Sequence, residues 1–76
     1  MSKRRKVFSG VFVVSILAKH FGFAVVSQRG SHVKLRHSDG RTTVIPLHKE
    51  LAQGTLSSIL DLAGLDRKQF LDSLGK

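Results

Sequence analysis

The sequence predicts a two-layer α+β domain of order α-β-β-β-α, with helices on one face of a three-stranded antiparallel sheet and a short extra helix at the C-terminus. Three observations lead there. Apolar residues recur at helical spacing at Val13, Ile16 and Leu17, and again at Leu56, Ile59, Leu60 and Ala63. Residues 31–37 alternate instead, with Val33 and Leu35 on one side and His32, Lys34 and Arg36 on the other. Asp39-Gly40 then supplies the positive φ angles of a hairpin turn. One-sided alternation of this kind describes a sheet that packs one face on a core and shows the other to solvent.

Each element has its own signal. Ser9 is a natural N-cap for the first helix, although the valines at 11, 13 and 14 disfavour helix intrinsically, and Gly22 should end it. Phe23 to Gln28 reads as a strand, Arg29-Gly30 as a turn and residues 31–37 as the second strand. Ser38-Asp39-Gly40 turns the chain into a third strand, Thr42 to Pro46, which stops where proline cannot donate to the ladder. Leu47 to Gln53 reads as a loop. Gly54-Thr55 opens the second helix with Thr55 as its cap, and Gly64 closes it. Asp66 with Gln69 three residues on forms a capping box for the last helix, whose Phe70, Leu71 and Leu74 should tack it onto the core.

At 76 residues the chain is one domain, residues 1–76, close to the lower size at which a core forms without staples. It has no cysteine, so disulfide scaffolds and thiolate metal sites are excluded. Thirteen Lys and Arg against five Asp and Glu give a net charge of +8, which favours an anionic partner. The acidic residues are scattered, with no pair placed to suggest two-carboxylate chemistry or a magnesium site. Residues 1–6 form a basic tip. Lys3 to Lys6 followed by Val7 to Ala18 has the outline of a signal peptide, but Ser9, Gly10 and Ser15 interrupt it and no small-x-small cleavage site follows. It is also much shorter than the ~20 apolar residues of a membrane span. The expectation is a cytoplasmic protein with no membrane association.

The chemistry concentrates on the polar side of the second strand. His32 stands in Gln28-Arg29-Gly30-Ser31-His32, beside Lys34 and Arg36. An imidazole titrates near neutrality and can take or give a proton, while lysine and arginine hold phosphate. Arg29, Lys34 and Arg36 are therefore candidate phosphate contacts, and Gly30 would let a ligand approach the backbone closely. His48 is a candidate second proton carrier or phosphate contact. A bland reading stands beside this one: an exposed histidine on a basic strand needs no task. His20 and His37 end a helix and a strand, and are explained by the helix dipole and by solvation. His32 and His37 differ by an odd number and face opposite ways, which speaks against a shared metal. Ser31 has no Asp placed to complete a triad.

The chain resembles the HicA family of toxins from toxin–antitoxin modules. The resemblance rests on Phe21-Gly22-Phe23, Gln28 to His32, Asp39-Gly40-Arg41, Val44 to His48, Leu51, Gly54-Thr55-Leu56 and Ile59-Leu60, in family order from about Ser9 to Phe70. It implies a fold like a double-stranded-RNA-binding domain and metal-independent cleavage of mRNA without a cofactor. His32, in the Gly-Ser-His motif, would be the catalytic residue, with Arg29, Gly30, Ser31, Lys34, Arg36 and His48 toward the RNA. It also implies a HicB-type antitoxin covering that face. Val11-Phe12, where the family is more polar, would leave an apolar spot for a partner to bury. The alternative is a double-stranded-RNA-binding module without catalysis, which the same charge and fold would serve. A DNA-binding regulator fits less well, since no helix carries a basic recognition face.

Overall fold

The computed structural model describes residues 6–75, so the basic tip up to Arg5 lies outside the described residues. The elements are α1 (Gly10–His20), β1 (Phe23–Arg29), β2 (His32–His37), β3 (Thr42–Pro46), α2 (Gln53–Ala63) and α3 (Arg67–Ser73). The sheet is antiparallel in the order β1-β2-β3. The helices cover one face of it, as the alternation in β2 requires.

In α1, tertiary burial overrides propensity. Its valines are poor helix formers, but Val13, Ile16 and Leu17 fall on one stripe and are buried in the core. Each such side chain removed from water contributes roughly 2 kcal/mol. The Ser9 hydroxyl accepts from the Phe12 N–H at 3.0 Å and caps the helix, while the Gly10 N–H donates to the His48 carbonyl at 2.9 Å. Gly22, at φ 76°, turns the chain into β1. Residues 13, 16 and 17 of the signal-like stretch are thus structural core.

Val33, Leu35 and Ile45 point inward from the sheet and meet Leu56, Ile59, Leu60 and Ala63 of α2. Thr43 is buried among them, and its hydroxyl donates to the Ile59 carbonyl at 2.9 Å. At the other end, the Arg41 guanidinium donates to the Ala63 carbonyl at 2.6 Å and lies 5.5 Å from the Phe23 ring centre. Gly64 caps α2 at φ 73° and the Asp66–Gln69 capping box opens α3, both as expected. Phe70 is fully buried and Leu74 packs at the core margin.

Four expectations need correction. The first tight turn is Gly30-Ser31 rather than Arg29-Gly30, because Arg29 pairs with His32 as the last residue of β1. Gly30 has φ 58° and Ser31 does not share the positive sign, the pattern of a type II′ turn with glycine first. The second helix starts at Gln53 with Ala52 as an N-cap that makes no side-chain bond, so Thr55 lies inside the helix and caps nothing. What fixes this start is tertiary: Leu51 is buried, and its N–H donates to the Phe8 carbonyl at 2.8 Å. Leu71 does not tack α3 down, since it is 41% exposed. Finally, His37 is not explained by solvation. It is half-buried, edge-on to Phe23, and its Nδ1 accepts from the Asp39 N–H at 3.1 Å.

Candidate active site

The outer face of the sheet is assembled by register. Residues directly opposite on neighbouring strands share a face. His32 pairs with Arg29 on one side and Pro46 on the other. Lys34 pairs with Ser27 and Val44, and Arg36 with Ala24 and Thr42. His32, Lys34 and Arg36 follow one another at two-residue spacing, about 7 Å apart along the strand. The face is therefore a cationic strip with His32 at its end.

A β-bulge makes this arrangement. Val25 pairs with Leu35, but Ser27 pairs with Lys34, so Val26 is an extra residue in β1. A one-residue shift turns every later side chain to the other face. Beyond the bulge, Ser27 and Arg29 therefore lie on the outer face, and Arg29 arrives beside His32. The bulge also sets up the Gly30-Ser31 turn, because only this register leaves two residues between the paired Arg29 and His32.

The strip is open. His32, Arg29 and Arg36 are exposed and Lys34 is half-buried. Among the described residues the ion pairs are Arg41–Asp39 and Lys68–Asp72, with the His37 ring also beside Asp39, so no carboxylate there neutralises Arg29, Lys34 or Arg36. Asp39, by contrast, is occupied. The Arg41 side chain beside it holds its carboxyl below the ordinary value, helped by the Arg41 backbone N–H and opposed by a slight desolvation.

The turn itself is held from two sides. The Gln28 side chain donates to the Gly30 carbonyl at 2.9 Å, and the Ser31 carbonyl accepts from the Leu47 N–H at 2.7 Å. A Cβ at Gly30 would meet nothing within 4 Å, so glycine serves the dihedral there and leaves the tip open to a ligand. The exposed His48 belongs to the same neighbourhood. It follows Pro46, the partner of His32, by two residues, and its carbonyl is held by Gly10 at the start of α1. His20 sits apart in the last turn of α1 and His37 on the inner side of the hairpin.

Two contributors escaped sequence reasoning. Gly10 follows an evident N-cap, but the sequence does not show that its missing side chain admits the 46–48 segment: a Cβ there would lie 2.0 Å from the Pro46 carbonyl oxygen. Gln28 shares the Gln-Arg-Gly-Ser-His run with the site, and its bond to Gly30 is legible only once the turn is formed.

With a proton carrier at the end of an unneutralised cationic strip, the face can bind a phosphodiester and move a proton beside it. No curated protein matches the chain. The family model of the HicA toxin of bacterial toxin–antitoxin systems matches residues 13–65, which contain the whole sheet, α2 and every residue of this face, and with well over half of the chain covered the protein belongs to the HicA toxin family.

Proposed function

We propose that this toxin is an mRNA interferase, a metal-independent endoribonuclease whose catalytic residue is His32. The observation that carries the reading is the exposed His32 between the cross-strand Arg29 and the next outward residue, Lys34, none of them neutralised by a carboxylate among the described residues. His32 takes the proton of a ribose 2′-hydroxyl as its oxygen attacks the adjacent phosphorus. The P–O5′ bond breaks, and the leaving oxygen takes a proton. The products are a 2′,3′-cyclic phosphate and a 5′-hydroxyl. Arg29, Lys34 and Arg36 hold the phosphates and offset the charge that builds on the phosphoryl oxygens. Gly30 and Ser31 present the hairpin tip to the backbone, and His48 assists from the neighbouring segment as proton donor.

The protein acts in the cytoplasm, where its substrate is translated. A HicB-type antitoxin, acidic where this chain is basic, neutralises it by covering the same strip. Their association is fast and weakens with salt. Among the described residues no helix is long and apolar enough to cross a membrane.

The test is cleavage of a synthetic mRNA in EDTA by the wild type and by His32→Ala. Cleavage by the wild type, reduced by roughly 100-fold or more in the variant, fits a lost general base. RNA retained by both proteins and cut by neither would favour the non-catalytic double-stranded-RNA-binding module, or a toxin that has lost its activity.

A further inference from the structure

On the helical layer, across the sheet from His32, the N-terminal arm, the start of α2 and α3 enclose a groove of about 530 Å³. That lies within the size range of sites that enclose a ligand or a few side chains. Its apolar lining is Phe8, Leu71 and Leu74, flanked by Lys6 and Arg67. All five of these residues lie outside the segment 13–65 that matches the family, and Gln53 at the start of α2 is the lining residue within it.

The groove is braced. The Arg67 guanidinium donates to the Gln53 side-chain oxygen, and the Gln53 amide donates to the Lys6 carbonyl at 3.2 Å. Phe8 stacks on Phe12 with centroids 5.6 Å apart and meets the Phe70 ring edge-on at 5.3 Å. Phe8 is thereby fixed in place, and the 41% exposed Leu71 is left beside it. Among the described residues no carboxylate pairs with Lys6 or Arg67.

We propose that this groove seats an acidic, apolar-anchored peptide segment of a partner protein. Its apolar side chains cover Leu71, Leu74 and Phe8, and its carboxylates meet Arg67 and Lys6. The charge decides between occupants. A second copy would bring another +8 chain to a rim that is already cationic. Nucleic acid would find two cations here, Lys6 and Arg67, for its phosphates, and would leave the apolar lining of Phe8, Leu71 and Leu74 without a matching surface. An acidic segment with leucine or phenylalanine satisfies both the lining and the rim. The docking leaves the His32 face uncovered, and it holds whether or not that face is catalytic.

The probe is a short fluorescein-labelled peptide alternating glutamate with leucine and phenylalanine, read by anisotropy and by backbone-amide NMR on the full chain at physiological salt. Shifts should fall on Phe8, Gln53, Arg67 and Leu71 and spare β2. Leu71→Ser and Arg67→Gln should each weaken binding roughly 10-fold, as loss of one buried anchor or one charge-assisted contact does, while Lys34→Gln leaves it unchanged. A glutamine-for-glutamate peptide should bind at least as much more weakly. Leu71 is 41% exposed and lies outside the buried core, and the NMR spectrum of Leu71→Ser reports directly whether its fold is kept. Shifts centred on β2, equal weakening by Lys34→Gln, or no effect of Leu71→Ser would overturn the proposal. So would a dimer of the free chain that Leu71→Ser dissociates, since the occupant would then be a second copy.

Discussion

The Leu47 N–H donates to the Ser31 carbonyl at 2.7 Å, and this bond joins the turn that carries His32 to the segment that carries His48. It continues the β2–β3 ladder one step past the His32–Pro46 pair. Two histidines sixteen positions apart in the chain are thereby tied into one end of the sheet. If His48 gives a proton to the leaving oxygen, His48→Ala should lower kcat on RNA by roughly 10²-fold while changing KM little. Single-turnover cleavage, with RNA binding measured in parallel, checks this. An unchanged kcat would confine His48 to binding or to no role.

The cationic strip makes a separable prediction about salt. Each phosphate contact on a single strand contributes about 0.7 to the slope of log K against log salt. Lys34→Ala and Arg36→Ala should each flatten that slope by about this amount, and Lys68→Ala on α3 should leave it as it is. The measurement is RNA binding by the His32→Ala protein across a salt series, where cleavage does not interfere.

Gly10 is where α1 touches the site. Any side chain there drives its Cβ into the Pro46 carbonyl, so Gly10→Ala should destabilise the fold by about 1–3 kcal/mol despite alanine's better helix propensity. Urea unfolding measures the loss. Because the same contact supports the 46–48 segment, amide shifts in the surviving folded protein should be largest at Leu47, His48 and His32. A stability equal to wild type would show that the helix start can move aside freely.

Asp39 gives a sign that can be checked against pH. Its native carboxyl is held below the ordinary 3.8 by Arg41, so the contribution to stability is fully present above that value. It is lost as pH falls through the lowered native value. Asp39→Asn should therefore melt at a lower temperature than wild type near neutrality, and the gap should close in acid. The carboxylate is solvent-facing, so the gap is small. Thermal melts of both proteins at neutral and strongly acidic pH test it, and a gap that widened in acid would reverse the sign.

The elements with a strong local code were legible from the sequence. Ser9 as cap, Gly64 as left-handed stop and the Asp66–Gln69 box are interactions within a single turn of chain, so sequence neighbours suffice to specify them. The alternation of Val33 and Leu35 with His32, Lys34 and Arg36 likewise follows from strand geometry. The misses share a cause. Thr55 carried the local signature of a cap, but the helix begins where the buried Leu51 and its bond to Phe8 place it. Leu71 looked like core by composition, yet α3 turns Phe70 inward and leaves Leu71 in the groove.

The sequence by itself determined the order of elements, the inward stripe of each helix and the outward strip on β2, because those depend on periods of about 3.6 and 2 residues that any chain obeys. The tertiary structure decided which residues stand beside that strip. The extra residue at Val26 reverses the facing of all that follows in β1 and delivers Arg29 to His32. The contacts of residues 46–48 with Ser31 and Gly10 deliver the segment that carries His48. A strand's own pattern fixes which side chains share a face, but the register between strands is chosen by pairing, and pairing is settled only when the sheet closes over its core.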